Sequence, residues 1–316
     1  MSTYLDRTQT AGNRKTFTIS AWVKRVNRMG TYTHLFTAGP NPGAWDTLRF
    51  DNDDQLAFRI NNDSNVIKLN RKFRDTNAWY HLVLSVDTTQ ATASDRVKIY
   101  VNGVLQSSFA SAGYPSQNQD LSFNNNGLTL RIGDSTWSPG SQYLDGLMSH
   151  VHFTDGTAYP ASTFGSTDST TGEWKINTSP SLTMGTNGFT ILKDGNTITD
   201  QSSNSNNFSL ASGTVTKSED NPSNNFATFN VLSVNSANGN LSYGNTRFNT
   251  GASAWRTAFT SFGQSSGKYY CEMKYTSGSN QMFGIFSLYK RNEVNDVGYV
   301  GDSNLSTRAV GIAKPG

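Results

Sequence analysis

The chain has 316 residues, 35% of them hydrophobic, and a net charge of +3. That length accommodates two ordinary domains with real cores, and a charge so near neutrality argues against nucleic-acid binding as a main role. The single cysteine, Cys271, excludes an intrachain disulfide and a Cys-based zinc site, and no apolar run is long enough for membrane insertion as a helix.

In chain order, Lys15 to Arg25 (KTFTISAWVKR) places Phe17, Ile19, Ala21 and Val23 on one face of a strand and Thr18, Ser20 and Lys24 on the other. Trp22 falls on the polar face, which predicts either a cover over that side or a strand buried on both faces. THLFTAG then leads into the Gly/Pro loop GPNPGAW. DTLRF and QLAFRI follow, joined by a turn at Asp51 to Asp54. Trp79 to Asp87 alternates again, with Tyr80, Leu82, Leu84 and Val86 on one face. Val97, Ile99 and Val101 precede Asn102-Gly103, the most direct hairpin signal in the chain. LTLRIGD (Leu128 to Asp134) and YLDGLMSHVHF (Tyr143 to Phe153) complete a first set of strands, spaced as in a two-sheet jelly roll.

From 166 to 225 the composition turns Asn/Ser-rich, and this stretch reads as a connector with short strands. Its apolar anchors, Phe189, Ile191 and Leu192, then Phe208 and Leu210, predict that it packs on its neighbours. The last region, 226–316, holds ATFNVL, GKYYCEMKYTSG and MFGIFSL, where Tyr269, Phe283 and Cys271 read as buried strand residues. The fold class is therefore all-β: an antiparallel β-sandwich (jelly roll) over 1–165, a connector over 166–225, and a second, incomplete β-sandwich over 226–316.

Five phrases in order (ISAWVK, WYHLVLSVD, VKIYVNG, RIGD and LDGLMSHVHF) resemble the LamG-like, concanavalin A-like jelly roll over about half the chain. SGKYYCEM followed by FGI resembles the opening half of a SPRY-like sandwich, and the region is short for a complete one. The opening TYLDRTQTAGNRKTFTISAWVKR, with Tyr4-Leu5-x-Arg7-Thr8 and Gly12 to Thr16, resembles virion and fibre proteins of marine cyanophages and related tailed phages. The resemblance implies a non-enzymatic structural protein located in the virion, docked to other virion proteins as a homo-oligomer and touching a host-surface glycan. The N-terminus carries no apolar core of signal-peptide length, which fits assembly onto a particle and release by lysis.

Catalysis has to compete on this fold, because glycosidases pair two carboxylates across a cleft. The four glutamates, Glu173, Glu219, Glu272 and Glu293, lie outside the first sandwich, and no nucleophile elbow occurs, so no catalytic residue is assigned. Trp45, Trp137 and Tyr143 sit on Gly/Pro-rich loops and are candidates for a glycan platform or a subunit interface. Asp51, Asp53 and Asp54, with Asp46 and Asp134 nearby, offer clustered hard oxygens for calcium, against the simpler reading of a turn. No other cofactor is expected. His150 and His152 form an H-x-H that would place both imidazoles on one face, with Asp155 close by. The basic clusters Lys24, Arg25, Arg28 and Lys68, Arg71, Lys72, Arg74 read as sheet-edge charges.

Overall fold

The computed structural model describes residues 2–40, 43–231, 234, 240–249, 258–260, 266–277, 281–286 and 309–314. The chain divides into two compact units, Met1–Asn225 and Phe226–Gly316. In the first unit the strands are β1 (Tyr4–Thr8), β2 (Thr16–Arg25), β3 (Thr33–Ala38), β4 (Asp46–Phe50), β5 (Gln55–Ile60), β6 (Asn65–Lys72), β7 (Tyr80–Asp87), β8 (Val97–Val101), β9 (Val104–Leu105), β10 (Phe109–Ala112), β11 (Thr129–Ile132), β12 (Gly146–Asp155), β13 (Gly165–Thr167), β14 (Trp174–Ile176), β15 (Phe189–Ile191) and β16 (Ser209–Ser212). Two short 3-10 helices, Ala93–Asp95 and Ala161–Thr163, interrupt the β structure of this unit among the described residues.

Two antiparallel sheets face each other. One has the order β10-β6-β5-β4-β3-β11-β1-β16 and the other β15-β12-β2-β7-β8-β9. The alternating residues meet between them: Phe17, Ile19 and Val23 of β2 and Leu82, Leu84 and Val86 of β7 join Phe36, Leu48, Phe58 and Leu130 in one core. Phe123 and Phe153 pack against Phe17 at its centre, with ring centroids 5.1 and 5.7 Å away. Burial of this apolar set, at about 25 cal/mol per Å2, is the main force closing the sandwich.

The segment 166–225 behaves differently from a connector. β15 pairs with β12 and β16 pairs with β1, so the segment adds an edge strand to each sheet and belongs to the first compact unit. Phe189, Ile191, Leu192 and Phe208 enter the main core, whereas Leu210 stays 43% exposed on its edge strand. The Asn-rich loop is tightly bonded. Asn204 and Asn206 both donate to the Gly188 carbonyl, at 3.0 and 2.8 Å, and Asn207 accepts the Asp200 N–H at 2.9 Å. These carboxamides stand in for backbone partners, which is why a polar composition folds here.

Among its described residues the second unit holds two antiparallel strand pairs, β17 (Asn240–Ser242) with β18 (Arg247–Asn249) and β19 (Gln281–Phe286) with β20 (Ala309–Lys314). The predicted strand GKYYCEMKY does not form: its described residues carry no strand, Tyr269 is 67% exposed and Cys271 is exposed. No partner strand pairs with it among the described residues, so its alternating pattern has no surface on which to bury. Phe283 is half-buried in β19.

Candidate functional site

Alternation sends one face of the eight-stranded sheet into the core and leaves the other polar. A single cross-strand row on that outer face runs Ser209, Asp6, Arg131, Thr37, Thr47, Arg59, with Arg49, Ala57 and Lys68 in the neighbouring row. Arg131 grips Asp6 through Nε and Nη2, both at 2.7 Å. The loop 134–142 then folds back over this face. Asp134 holds it by accepting the Ser135 and Gly140 N–H groups, and Arg131 Nη1 donates to the Ser135 carbonyl at 2.9 Å. Burial pushes the Asp134 carboxyl up in spite of those N–H groups.

The loop brings Trp137 onto Trp45. Their rings stack at 4.1 Å, and His34 meets Trp137 edge-on at 4.8 Å. His34 Nε2–H donates to Gln142 Oε1 at 2.9 Å, while Nδ1 lies 2.8 Å from the Thr47 hydroxyl. Burial and the nearby Arg49 hold this imidazole down at about 3. Arg49 lies over Tyr32 at 4.6 Å and over Trp45 at 5.9 Å. Trp45 is only 9% exposed, and Trp137 is half-buried. The two tryptophans thus cover a face of each other. Tyr143 stands apart from them and carries the Arg28 guanidinium 4.1 Å above its ring.

The Asp51–Asp54 turn is an ion-pair junction. Asp51 receives Arg49 at 2.8 Å and Lys68 at 3.2 Å, and Arg59 binds both its oxygens. Asp53 takes Lys68 at 2.6 Å. Asp54 receives Arg25 at 3.1 Å, Arg74 at 2.7 Å and the Gly30 N–H at 2.7 Å. Burial works against the Asp51 and Asp54 anions, yet these donors hold both below the usual carboxylate range. Asp46 sits apart, accepting the Asn61 and Ser122 N–H groups, and burial raises it. The three turn carboxylates therefore face cations of the chain itself. Among the described residues no group of three or more His, Cys, Asp or Glu side chains has metal-site geometry.

His150 and His152 do not share a face. A bulge lies between Ser149 and His152, and His150 adopts φ of 47°. The extra residue breaks the two-residue period that the H-x-H reading needs. His152 Nδ1 lies 2.9 Å from the Thr190 hydroxyl, and Asp155 accepts the Asn13 and Asn187 N–H groups at 2.7 and 3.0 Å.

The outer face of the six-stranded sheet has its own cover. After Asp155 the chain crosses it, placing Phe164 and Trp174 over β2 and β7. His81 lies between Trp22 at 4.9 Å and Trp174 at 5.9 Å, both stacked. Trp174 Nε1–H donates to His81 Nδ1 at 3.0 Å, so the neutral ring carries its proton on Nε2 and donates to Ser20 Oγ at 2.9 Å. That tautomer cannot take a proton from Ser20, and burial holds His81 at about 3. Further along β2, Lys24 meets Asp220 at 2.6 Å, both fully buried, and Trp79 Nε1–H donates to the same carboxylate at 2.8 Å. The Lys24 and Arg25 cluster is thus buried rather than an edge device.

Local sequence patterns give little sign of a clamp near the N-terminus. Asn187 accepts the Thr10 N–H at 2.9 Å and returns a bond to the Thr10 carbonyl at 2.8 Å. A Cβ at Gly12 would collide with Asp155 Oδ2 and Asn187 Nδ2. The detectable signal was the D-x-S spacing at Asp200 and Ser202, a side-chain turn in which Asp200 accepts four donors.

Solved structures that align with part of this chain include a heptameric SAP-like pentraxin from Limulus polyphemus, 18% identical, covering 50% of this chain and 71% of the other at a TM-score of 0.36. Domain 4 of a GH43 extracellular arabinanase from Geobacillus stearothermophilus, in complex with arabinotriose, is 23% identical, covering 48% and 65% at 0.34. Tailspike protein 2 from the Escherichia coli O157:H7 bacteriophage CAB120 is 12% identical, covering 51% and 22% at 0.33. No curated protein matches the chain. Residues 2–162 match the laminin G-type family described as the concanavalin A-like lectin/glucanases superfamily, and the chain belongs to that superfamily.

Proposed function

We propose that this chain is a non-catalytic structural module of a tailed-phage particle, acting by docking to other virion proteins. One observation carries the non-catalytic part: the buried carboxylates of the first unit are committed to arginines, lysines or backbone N–H groups. Asp51, Asp54, Asp155, Asp200 and Asp220, with the half-buried Asp6, are held this way, which argues against two of them acting across a cleft as acid and base. The particle assignment rests on the opening phrase of the sequence. Its Thr10 bonds Asn187 of the added 185–207 loop, Gly12 lies against Asn187, and Asn13 bonds Asp155, which also accepts the Asn187 N–H, so phrase and extension belong to one building block. In this reading the module repeats in symmetric copies.

Mass spectrometry and cryo-electron microscopy of purified particles test this reading. Docking predicts density for the first unit seated among other virion proteins, and absence of the chain from the particles would overturn the assignment. Half-buried Trp137 favours a second reading, a lectin surface on the 134–142 loop. In a glycan array that reading requires Trp137→Ala to abolish binding while leaving incorporation into particles intact.

A further inference from the structure

After β12 the chain leaves the six-stranded sheet and rejoins it at β15, and the two ends of this excursion are pinned together. The Asp155 N–H donates to the Met184 carbonyl at 2.8 Å, Asp155 Oδ2 accepts the Asn187 N–H at 3.0 Å, and the Gly156 N–H reaches the Thr16 carbonyl at 2.9 Å. Residues 157–183 between these ends form a strap over the outer face, carrying the 3-10 helix Ala161–Thr163 and the β13–β14 hairpin. Its apolar contacts make a cluster separate from the main core: Ala161 and Phe164 meet Val83 of β7, with Tyr159, Trp174 and the Tyr100 side chain of β8 packed around them. The strap therefore has its own packing, and lifting it does not open the space between the sheets.

At its pinned end the strap is held by the Thr18 hydroxyl, which donates to the Thr157 carbonyl and accepts the Tyr159 N–H, both at 2.8 Å. Beyond Tyr159, among the described residues, one hydrogen bond ties it to the sheet, from Trp174 Nε1–H to His81 Nδ1 at 3.0 Å. An indole nitrogen only donates, so this bond needs His81 Nδ1 without a proton. An imidazolium carries N–H on both nitrogens, so neither a ring flip nor a change of tautomer restores the acceptor. Among the described residues no carboxylate offsets a charge on this ring. From β2 it meets Ser20 and Trp22, with Lys24 further along already bound to Asp220. β8 carries Tyr100 and Lys98 on the same face, and Lys98 pairs with Asp95 at 3.1 Å. β12 contributes His152, which opposes the charge and is itself opposed by His150 and Lys193. On the strap, Asp168 is taken by Lys175 at 2.6 Å and Glu173 is exposed.

We propose that residues 157–183 are an acid-released strap: a proton on His81 Nδ1 sets N–H against N–H at Trp174, and the strap lifts from the sheet while the main core stays closed. Release returns the imidazole to water and bares Trp22, Val83 and Tyr100. Trp22, the nearer of the two stacked rings at 4.9 Å, stays with the sheet, so its attraction for the imidazolium does not hold the strap down. Burial holds the ring at about 3 against an ordinary 6.5, which places the switch on the acid side of neutrality. Each proton taken up on release makes the opening constant about tenfold larger per pH unit below about 6.5.

Hydrogen exchange read by mass spectrometry on the full chain tests it, because an unsupported two-stranded hairpin is marginal and its amides exchange once the strap lifts. As pH falls from about 6.5 to about 4.5, protection of 157–183, corrected for intrinsic exchange, should drop about tenfold per pH unit, and up to about a hundredfold where His152 is bared as well. Strands β2 and β7 should stay at least about tenfold better protected throughout. His81→Asn keeps an acceptor for the indole and takes no proton, so its drop should be about tenfold per pH unit shallower. Trp174→Phe keeps a ring, removes the opposing N–H and should also shallow the drop. Flat protection of the strap, loss of strap and β2 together, or an unchanged slope in His81→Asn would overturn the proposal. If His81→Asn does not fold, an unchanged slope in Trp174→Phe overturns it instead.

Discussion

The two sheets solve the same problem, a polar outer face that cannot simply be left open, with different chemistry. The eight-stranded sheet covers its face with cations and carboxylates of its own strands, closed at one end by the Trp45–Trp137 stack. The six-stranded sheet covers its face with a chain segment from beyond β12, using Trp22, Phe164, Trp174 and two neutral histidines. The first cover comes from local strands and tolerates water at its rim. The second depends on contacts across long sequence separations and keeps its imidazoles dry. A charged cover and an aromatic cover should therefore fail under different conditions.

Acid separates them most strongly. His34, His81 and His152 are held at about 3, below the ordinary 6.5, so the unfolded chain binds protons that the folded chain refuses. Stability should fall as pH drops below about 6.5, by up to about 1.4 kcal/mol per pH unit for each histidine, until the folded values near 3 are reached. Two of the three belong to the six-stranded side. Asp51 and Asp54 are depressed instead, so their contribution is intact above about 3.9 and is lost only as pH falls through their lower folded values. Urea titrations between pH 7 and 3 should show a loss that starts in the histidine window. A stability that is flat down to pH 4 would break the comparison.

Next comes the buried pair. Lys24→Met strands Asp220 beneath the segment and should cost about 3–5 kcal/mol, while Lys24→Met with Asp220→Leu should recover most of it. Denaturant midpoints of the single and double variants check this, and equal losses in both would show that the charge was not the issue. Gly12→Ala tests the joint between the two parts of the first unit. Its Cβ would press on Asp155 and Asn187, both already bonded, for a cost of about 1–3 kcal/mol. Limited proteolysis should then cut first within 185–207, and an unchanged pattern would show that the clamp yields without loss. Trp137→Ala, on a half-buried ring, has the smallest expected effect, about 1–2 kcal/mol. Its amide exchange changes should stay within the 134–142 loop.

Much of this architecture could be read directly from residues. The period-two pattern of Phe17 to Val23 and Tyr80 to Val86 specifies a buried face because a strand alternates sides, and Asn102-Gly103 specifies its hairpin through the positive φ of 48° and 80° found there. The off-pattern Trp22 announced a covered outer face, which Trp174 and His81 supply. The candidate site was less legible. Trp45 and Trp137 stand out as residues but not as a pair, because their contact joins loops 92 positions apart. Asp51 to Asp54 look like oxygens awaiting a cation, since nothing in the local sequence says that Arg25, Arg49 and Arg59 will arrive there. GKYYCEMKY has every mark of a strand and forms none, because a strand needs a neighbour as well as a pattern.

By itself, then, the sequence determined the β class, the inward faces and the turn positions, all of which follow from local backbone geometry and alternation. Tertiary structure decided which charges are buried, which aromatic rings meet, where H-x-H is broken by a bulge, and that the Asn-rich 166–225 stretch belongs to the sandwich. Several of those outcomes depend on partners brought from far along the chain, such as Arg7 with Asn187 and Lys24 with Asp220, and local spacing does not encode them.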